Sequence, residues 1–246
     1  MSTLVVSGTG TGVGKTIVTA AVAALAVDRG LDVAVVKPVQ TGVLPGGPGD
    51  LDEVARLARV TDLHEFARFP APLSPETAAR VSMLPPADLL AAAVQVAKLA
   101  ADGRLVLIEG AGGLAVRYDA DGTSIADLAA ALGAPVLVVA AAGLGTLNHT
   151  ALTLTALSAR GLDCAGVVIG AWPYQPDLAV RCNLADLRTI AGRPLSGALR
   201  EGAGTLHPEG FLAMARAGLA PALGGEFDPA EFERRSGWPE PREGVS

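Results

Sequence analysis

A chain of 246 residues, half of them hydrophobic but only 4% aromatic, is long enough to bury a large core and must build it from Val, Leu, Ile and Ala. The formal net charge of −6 and the lack of any Lys/Arg block exclude a basic nucleic-acid surface. The most apolar stretch, 132–145, carries Pro135 and is too short for a bilayer, and no basic region precedes the first apolar residues, so a cytoplasmic protein is expected.

In chain order, short apolar runs at 4–7, 33–37, 105–109, 136–141, 165–169 and, more weakly, 194–198 alternate with helix-like stretches at 15–28, 50–59, 86–101, 146–160 and 177–191. Gly30, Gly103 and Gly161 stop three of these helices. Strand–helix–strand repetition requires right-handed crossovers. It predicts an α/β fold of the P-loop NTPase type: a mostly parallel sheet covered by helices on both faces, in a single domain over 1–224. The Pro- and Gly-rich segments 44–49 and 70–75 read as loops. The 225–246 tail, ending in GWPEPREGVS, is polar and Pro-rich and is expected to be poorly ordered or loosely docked. Cys164 and Cys182 have neither C-x-x-C spacing nor a histidine cluster, and Cys164, beside a strand-like run, is expected to be a reduced, buried thiol.

Ligands of such sheets collect at the carboxyl ends of the strands, and the chemically interesting residues all follow strand candidates. The first strand runs into GTGTGVGKT and then a helix. A Walker A motif has a glycine five positions before Gly14, where this chain has Thr9, but Gly8, Gly10 and Gly12 keep the turn permissive. Backbone N–H groups from Thr11, Gly12, Val13, Gly14, Lys15 and Thr16, leading into Ile17 at the helix start, suit a polyphosphate. Lys15 is placed to reach the β/γ-phosphates and the Thr16 hydroxyl to ligate Mg²⁺. The second strand delivers KPVQTG, with Lys37 and Thr41; taken alone, Lys37 also fits a surface lysine whose Pro38 ends the strand. The third delivers EGAGG. Its Glu109 stands where a P-loop enzyme carries its second Mg²⁺ anchor, with Gly110, Ala111 and Gly112 turning behind it; a carboxylate that merely caps a strand end is the plainer reading.

Four pieces in this order, GTGTGVGKT, KPVQTG, EGAGG and LGTLNHT, resemble the dethiobiotin synthetase family, and the resemblance covers nearly all of residues 2–200. The first piece is shared with cobyrinate-type amide synthases and with chromosome-partition ATPases; the second and fourth are far more specific. The amide synthases add an amidotransferase domain with a nucleophilic cysteine, which neither Cys here matches, and the partition ATPases carry a lysine where this chain has Gly10.

The resemblance implies ATP-dependent carboxylation and ring closure of 7,8-diaminononanoate with CO₂ or bicarbonate, through a carbamate and a carbamic-phosphoric anhydride. It implies catalytic roles for Lys37 and Lys15, substrate contact by Thr41, and Mg²⁺ on Thr16, Glu109 and one aspartate. Asp50, at the expected N-cap after the glycine-rich loop, is chosen over Asp52, although Asp50 also reads as a plain cap and Asp52 as a first-turn charge. LGTLNHT implies a homodimer in which Gly145, Thr146, Leu147 and Asn148 open a helix and bind the substrate carboxylate of the partner subunit. His149 reads as structural. The Asn-Asp-like pair with which many members read adenine is replaced by Gly170 and Ala171, and a later G-x-x-P segment by GALREGAG. That leaves backbone contacts from Gly170, Ala171, Arg200 and Glu201, and implies that other nucleoside triphosphates work within about tenfold of ATP, a gap of ~1.4 kcal/mol. No nucleic-acid or membrane partner is expected.

Overall fold

The computed structural model describes residues 2–238. Its strands are β1 (Thr3–Gly8), β2 (Val33–Thr41), β3 (Asp62–Phe69), β4 (Leu105–Gly113), β5 (Val136–Ala140), β6 (Cys164–Trp172) and β7 (Gly197–Arg200). They form one sheet in the order β3-β2-β4-β1-β5-β6-β7, and every pairing is parallel. The crossover helices are α1 (Lys15–Asp28), α2 (Asp50–Ala58), α3 (Pro75–Val81), α4 (Leu89–Ala101), α5 (Ile125–Leu132), α6 (Thr146–Ala159) and α7 (Leu178–Ala191); α8 (Pro208–Gly218) and α9 (Pro229–Ser236) follow the last strand.

Alternation along β1 shows why the strands read as unbroken apolar runs. Leu4 and Val6 face a core completed by α1, α2 and α8, whereas Val5 between them faces the core under α4, α5 and α7. With both faces covered, the buried polar residues of these central strands, Ser7, Lys37, Gln40 and Glu109, are confined to the middle and carboxyl-terminal parts. The edge strand β3, DLHEFARF, is different: it is half-buried along most of its length and carries charges that guard its free edge. That composition hid it from a search for apolar runs. The expected strand at 194–198 lies instead at Gly197–Arg200, beyond Pro194.

The expectation of a loosely docked tail is corrected for residues 225–238. Asp228 caps α9 by accepting from the Ala230 and Glu231 amides (2.8 and 3.1 Å), and Pro229 opens the helix. Phe227 is buried, and Phe232 meets Trp172 of β6 edge to face with 5.1 Å between centroids. Two aromatic rings thus dock a segment whose average composition is polar. Residues 239–246 of the expected tail lie outside the described residues. No described helix is long and apolar enough to cross a membrane.

The carboxyl ends of β2, β4 and β1 lie side by side, and β1 sits where the chain order reverses, between β4 and β5. Crevices at such reversal points are where open α/β sheets bind ligands.

Candidate active site

The loop after β1 solves its irregular spelling through packing. A Cβ on Gly8 would stand 2.8 Å from Val13 Cγ2 and 2.9 Å from the Gly10 carbonyl oxygen, so Gly8 supplies the close approach that Thr9 cannot. Thr9 instead donates its N–H to Val139 O of β5 at 2.9 Å and ties the loop to the sheet. Gly14, in the left-handed region at φ 95°, caps α1, whose first residue is Lys15. The N–H groups of this helix start therefore open at the sheet's carboxyl edge, where an anion is stabilised.

Beside the loop, three elements bring buried charges together. Lys37 of β2 is 3% exposed and Glu109 of β4 is 1% exposed, and their Nζ and Oε1 atoms are 2.7 Å apart. Asp50, the first residue of α2, places Oδ2 2.5 Å from the same ammonium. The Thr16 hydroxyl of α1 donates to Glu109 Oε1 at 2.8 Å. Lys15 is also buried and folds back to donate to Gly10 O at 2.9 Å. Burial acts on Lys37 to lower its pKa, but the Glu109 and Asp50 carboxylates outweigh it and hold the ammonium above the usual lysine range. Burial pushes Glu109 upward, with the Lys37 charge opposing. Lys15 is drawn down, first by burial and then by the Lys37 charge. Two cations and two carboxylates meet here, and three of the four, Lys15, Lys37 and Glu109, are buried, so their charges are strongly felt by any charge that enters.

Asp50 is not the N-cap that the sequence pattern suggested: Gly49 is, and Asp52 reaches back to the Gly49 N–H at 2.6 Å. The two aspartates divide the work. Asp52 completes the capping and Asp50 is turned toward Lys37 and Glu109.

These groups border a cavity of about 640 Å³ that Thr11, Gly12, Gly14, Ile17, Thr41, Ala111 and Gly112 also line. Its far wall, Pro72 to Pro75 with Val116, was not foreseen, nor was Gln40. The Ser74-Pro75 pair that opens α3 was the available signal, since Pro at the first helical position after Ser marks a helix start. Tyr118 was also missed: it is fully buried, its hydroxyl accepts the Ala111 N–H at 2.7 Å, and burial pushes its pKa up to about 12. Gly110 lies behind the cavity, its carbonyl 3.4 Å from Lys37 Nζ. Gly145, Thr146, Leu147 and Asn148 are not brought to the cavity; they stand at the start of α6, after β5. Gly170 and Ala171 lie near the carboxyl end of β6, Arg200 ends β7 and Glu201 follows it, again outside this cavity. Gly170 packs on the phosphate loop itself, and a Cβ there would overlap the Val13 carbonyl oxygen.

The donor set suits a hard divalent cation. Glu109 Oε2 is buried without a protein donor, while the Thr16 hydroxyl bonds the other oxygen of that carboxylate and Asp50 stands across the shared Lys37 ammonium. One or two carboxylates completed by phosphate oxygens and water is how Mg²⁺ is usually held.

The family described as an AAA domain matches residues 2–203. The ATP-dependent dethiobiotin synthetase BioD of Parafrankia sp. is 60% identical over 96% of this chain and 99% of its own length. Its namesake from Frankia casuarinae is 62% identical over the same shares, and that from Streptomyces avermitilis 59% over 94% and 98%. Among solved structures, the septum site-determining protein MinD complexed with Mg-ADP from Pyrococcus horikoshii superposes with a TM-score of 0.52 at 17% identity, over 87% of this chain and 93% of that one. A ParA family ATPase from Chlorobium tepidum gives 0.52 at 15%, over 91% and 95%. The last two establish the P-loop fold; the relatives at about three-fifths identity decide the family. On its fold, its motifs in order and these near full-length relatives, the chain belongs to the ATP-dependent dethiobiotin synthetase family.

Proposed function

We propose that this chain forms dethiobiotin from 7,8-diaminononanoate, CO₂ and ATP, and that its reacting atoms meet at Lys37. The observation that carries this reading is the burial of the Lys37 ammonium between Asp50 and Glu109, beside Thr16 and at the mouth of the phosphate loop. One amine of the substrate takes up CO₂ as a carbamate. A carbamate oxygen then attacks the γ-phosphorus of ATP and ADP leaves. The second amine attacks the carbamyl carbon, phosphate departs, and the cyclic urea closes.

These steps need charge and alignment more than a protein nucleophile. Lys37 stays protonated because two carboxylates hold it so, and it offers that charge to the oxygen shared by carbamate and γ-phosphorus. Lys15 supplies the second cation from inside the phosphate loop, and Thr41, on the cavity wall, hydrogen-bonds the carbamate side of the substrate. Thr16, Asp50 and Glu109 would hold Mg²⁺, which when bound neutralises the β- and γ-phosphate oxygens.

The carboxylate end of the diamine is assigned to a second copy of the chain. Residues Gly145 to Asn148 open α6 away from this protomer's own cavity, and Leu144 beside them is 93% exposed, with Leu152 on the same helix 61% exposed. A helix start next to uncovered leucines suits a dimer seam that also binds an anion. Base recognition falls to the backbone around Gly170, Ala171, Arg200 and Glu201, so other nucleoside triphosphates are accepted. We assign the reaction to the cytoplasm, where ATP is supplied.

Phosphate release with ATP and Mg²⁺ tests the reading, with diamine and bicarbonate added separately and together. Release only with both, and labelled CO₂ fixed in an acid-stable ring, is expected. Release that needs no diamine would instead mark a switch-type ATPase.

A further inference from the structure

Lys37 and Thr41 come from β2 and Asp50 from α2, and the joining segment 42–49 is rich in Gly and Pro. Such a segment has much conformational freedom to lose, so something must hold Asp50 within ion-pair distance of Lys37. Gln40 is the buried polar residue at the junction, 4% exposed. Its Oε1 accepts the Asp50 N–H at 2.8 Å and its Nε2 donates to the Thr41 carbonyl at 3.1 Å. One amide therefore bonds the backbones of both residues. The fit is close, since a Cβ on Gly49 would stand 2.8 Å from Gln40 Oε1.

Arg68 of the edge strand β3 grips the other side of the segment. Its Nη1 donates to Gly47 O at 2.6 Å and to Leu44 O at 3.3 Å. Its Nε and Nη2 are held by the two Glu65 carboxylate oxygens at 2.6 and 2.8 Å, which fixes the guanidinium plane. With Asp52 occupied at the Gly49 N–H, Asp50 carries no capping duty and its carboxylate is left to face Lys37. The Asp50 N–H, one of the opening helix amides that has no acceptor within the helix, is satisfied here from a strand.

We propose that Gln40, backed by Arg68, is the positioning residue that sets Asp50 and Thr41 in one register. The inference rests on the roles proposed above for those two residues. Outer partners of metal ligands typically carry ten- to hundredfold in affinity or rate, although they never touch the ion.

The test is Mn²⁺·ADP binding, followed by electron paramagnetic resonance, together with the KM for the diamine. Gln40→Met keeps the side chain's length and removes both hydrogen bonds. About a tenfold weaker Mn²⁺·ADP complex and a parallel rise in diamine KM are expected. Arg68→Ala, on a half-exposed edge strand, should shift both constants in the same direction by a smaller factor, and it decides the matter if Gln40→Met does not fold. A residue that served only folding would lower the unfolding midpoint and leave both constants at their wild-type values; that result overturns the proposal. If the wild-type protein makes no dethiobiotin, the functional reading fails, whereas the Mn²⁺·ADP comparison still judges Gln40.

Discussion

The carboxyl edge of the sheet has two unlike halves. Over β2, β4 and β1, buried charges are matched at 2.5–2.8 Å and the backbone is pinned by Gln40, Arg68 and Tyr118. Over β5, β6 and β7 the corresponding positions carry glycine, an exposed Leu144 and an Ala171 left in solvent. Phosphoryl transfer needs preorganised charge, which one chain can build at a cost in buried ions. In the reading proposed above, the first half carries the phosphoryl transfer, and the second leaves the base to backbone groups and the carboxylate to a partner.

The largest test of that contrast strikes the buried pair. Lys37→Met should lower kcat by about 10²–10³ or more. It should also cost about 3–5 kcal/mol in urea unfolding, because Glu109 is left buried and uncompensated. Adding Glu109→Gln should recover much of the stability and none of the activity. Recovery of both would show that the pair is structural only.

Leu144→Asp addresses the other half. Sedimentation should shift toward monomer and the diamine KM should rise about tenfold, equivalent to ~1.4 kcal/mol of lost contact. Nucleotide binding should not change. An unchanged KM in a monomeric variant would return the carboxylate site to the chain's own cavity.

For the base, competing nucleoside triphosphates should act within about tenfold of ATP, and a preference above about a hundredfold would break the account. Gly170→Asn should weaken every nucleotide alike rather than create adenine selectivity, because its Cβ meets the Val13 carbonyl.

pH sharpens the picture further. A lysine whose pKa lies below the ordinary 10.5 loses its charge earlier as pH rises. The KM for ATP should therefore climb on the alkaline side before 10.5 is reached, as Lys15 is neutralised, and Lys15→Met should have a weak, flat profile there. By the same sign, the folding cost of burying the Lys15 charge is relieved as pH rises through its lowered pKa.

The smallest effect belongs to the carboxyl-terminal clasp. Phe232→Ala should cost about 1–2 kcal/mol in thermal unfolding, from a half-buried ring and its edge contact with Trp172, and leave both kinetic constants unchanged.

What the sequence determined by itself was local. Unbroken apolar runs marked the strands whose two faces are both buried, and glycine spacing before Gly14-Lys15-Thr16 marked the phosphate loop, because periodicity and turn chemistry act over a few residues. The same logic missed β3, whose edge position calls for charge, and α9, which two aromatic rings dock despite a polar average. Asp50 was preferred to Asp52 on a capping pattern that Gly49 in fact fills, since both stand in one turn of α2 and only packing shows that Asp52 is spent on the Gly49 N–H while Asp50 faces Lys37. The tertiary structure alone decided which charges meet: Lys37 finds Glu109 across 72 residues of chain and Thr16 finds it across 93. Partnerships at that separation leave no spacing to read, because they are set by strand order and by the depth at which each side chain leaves its strand.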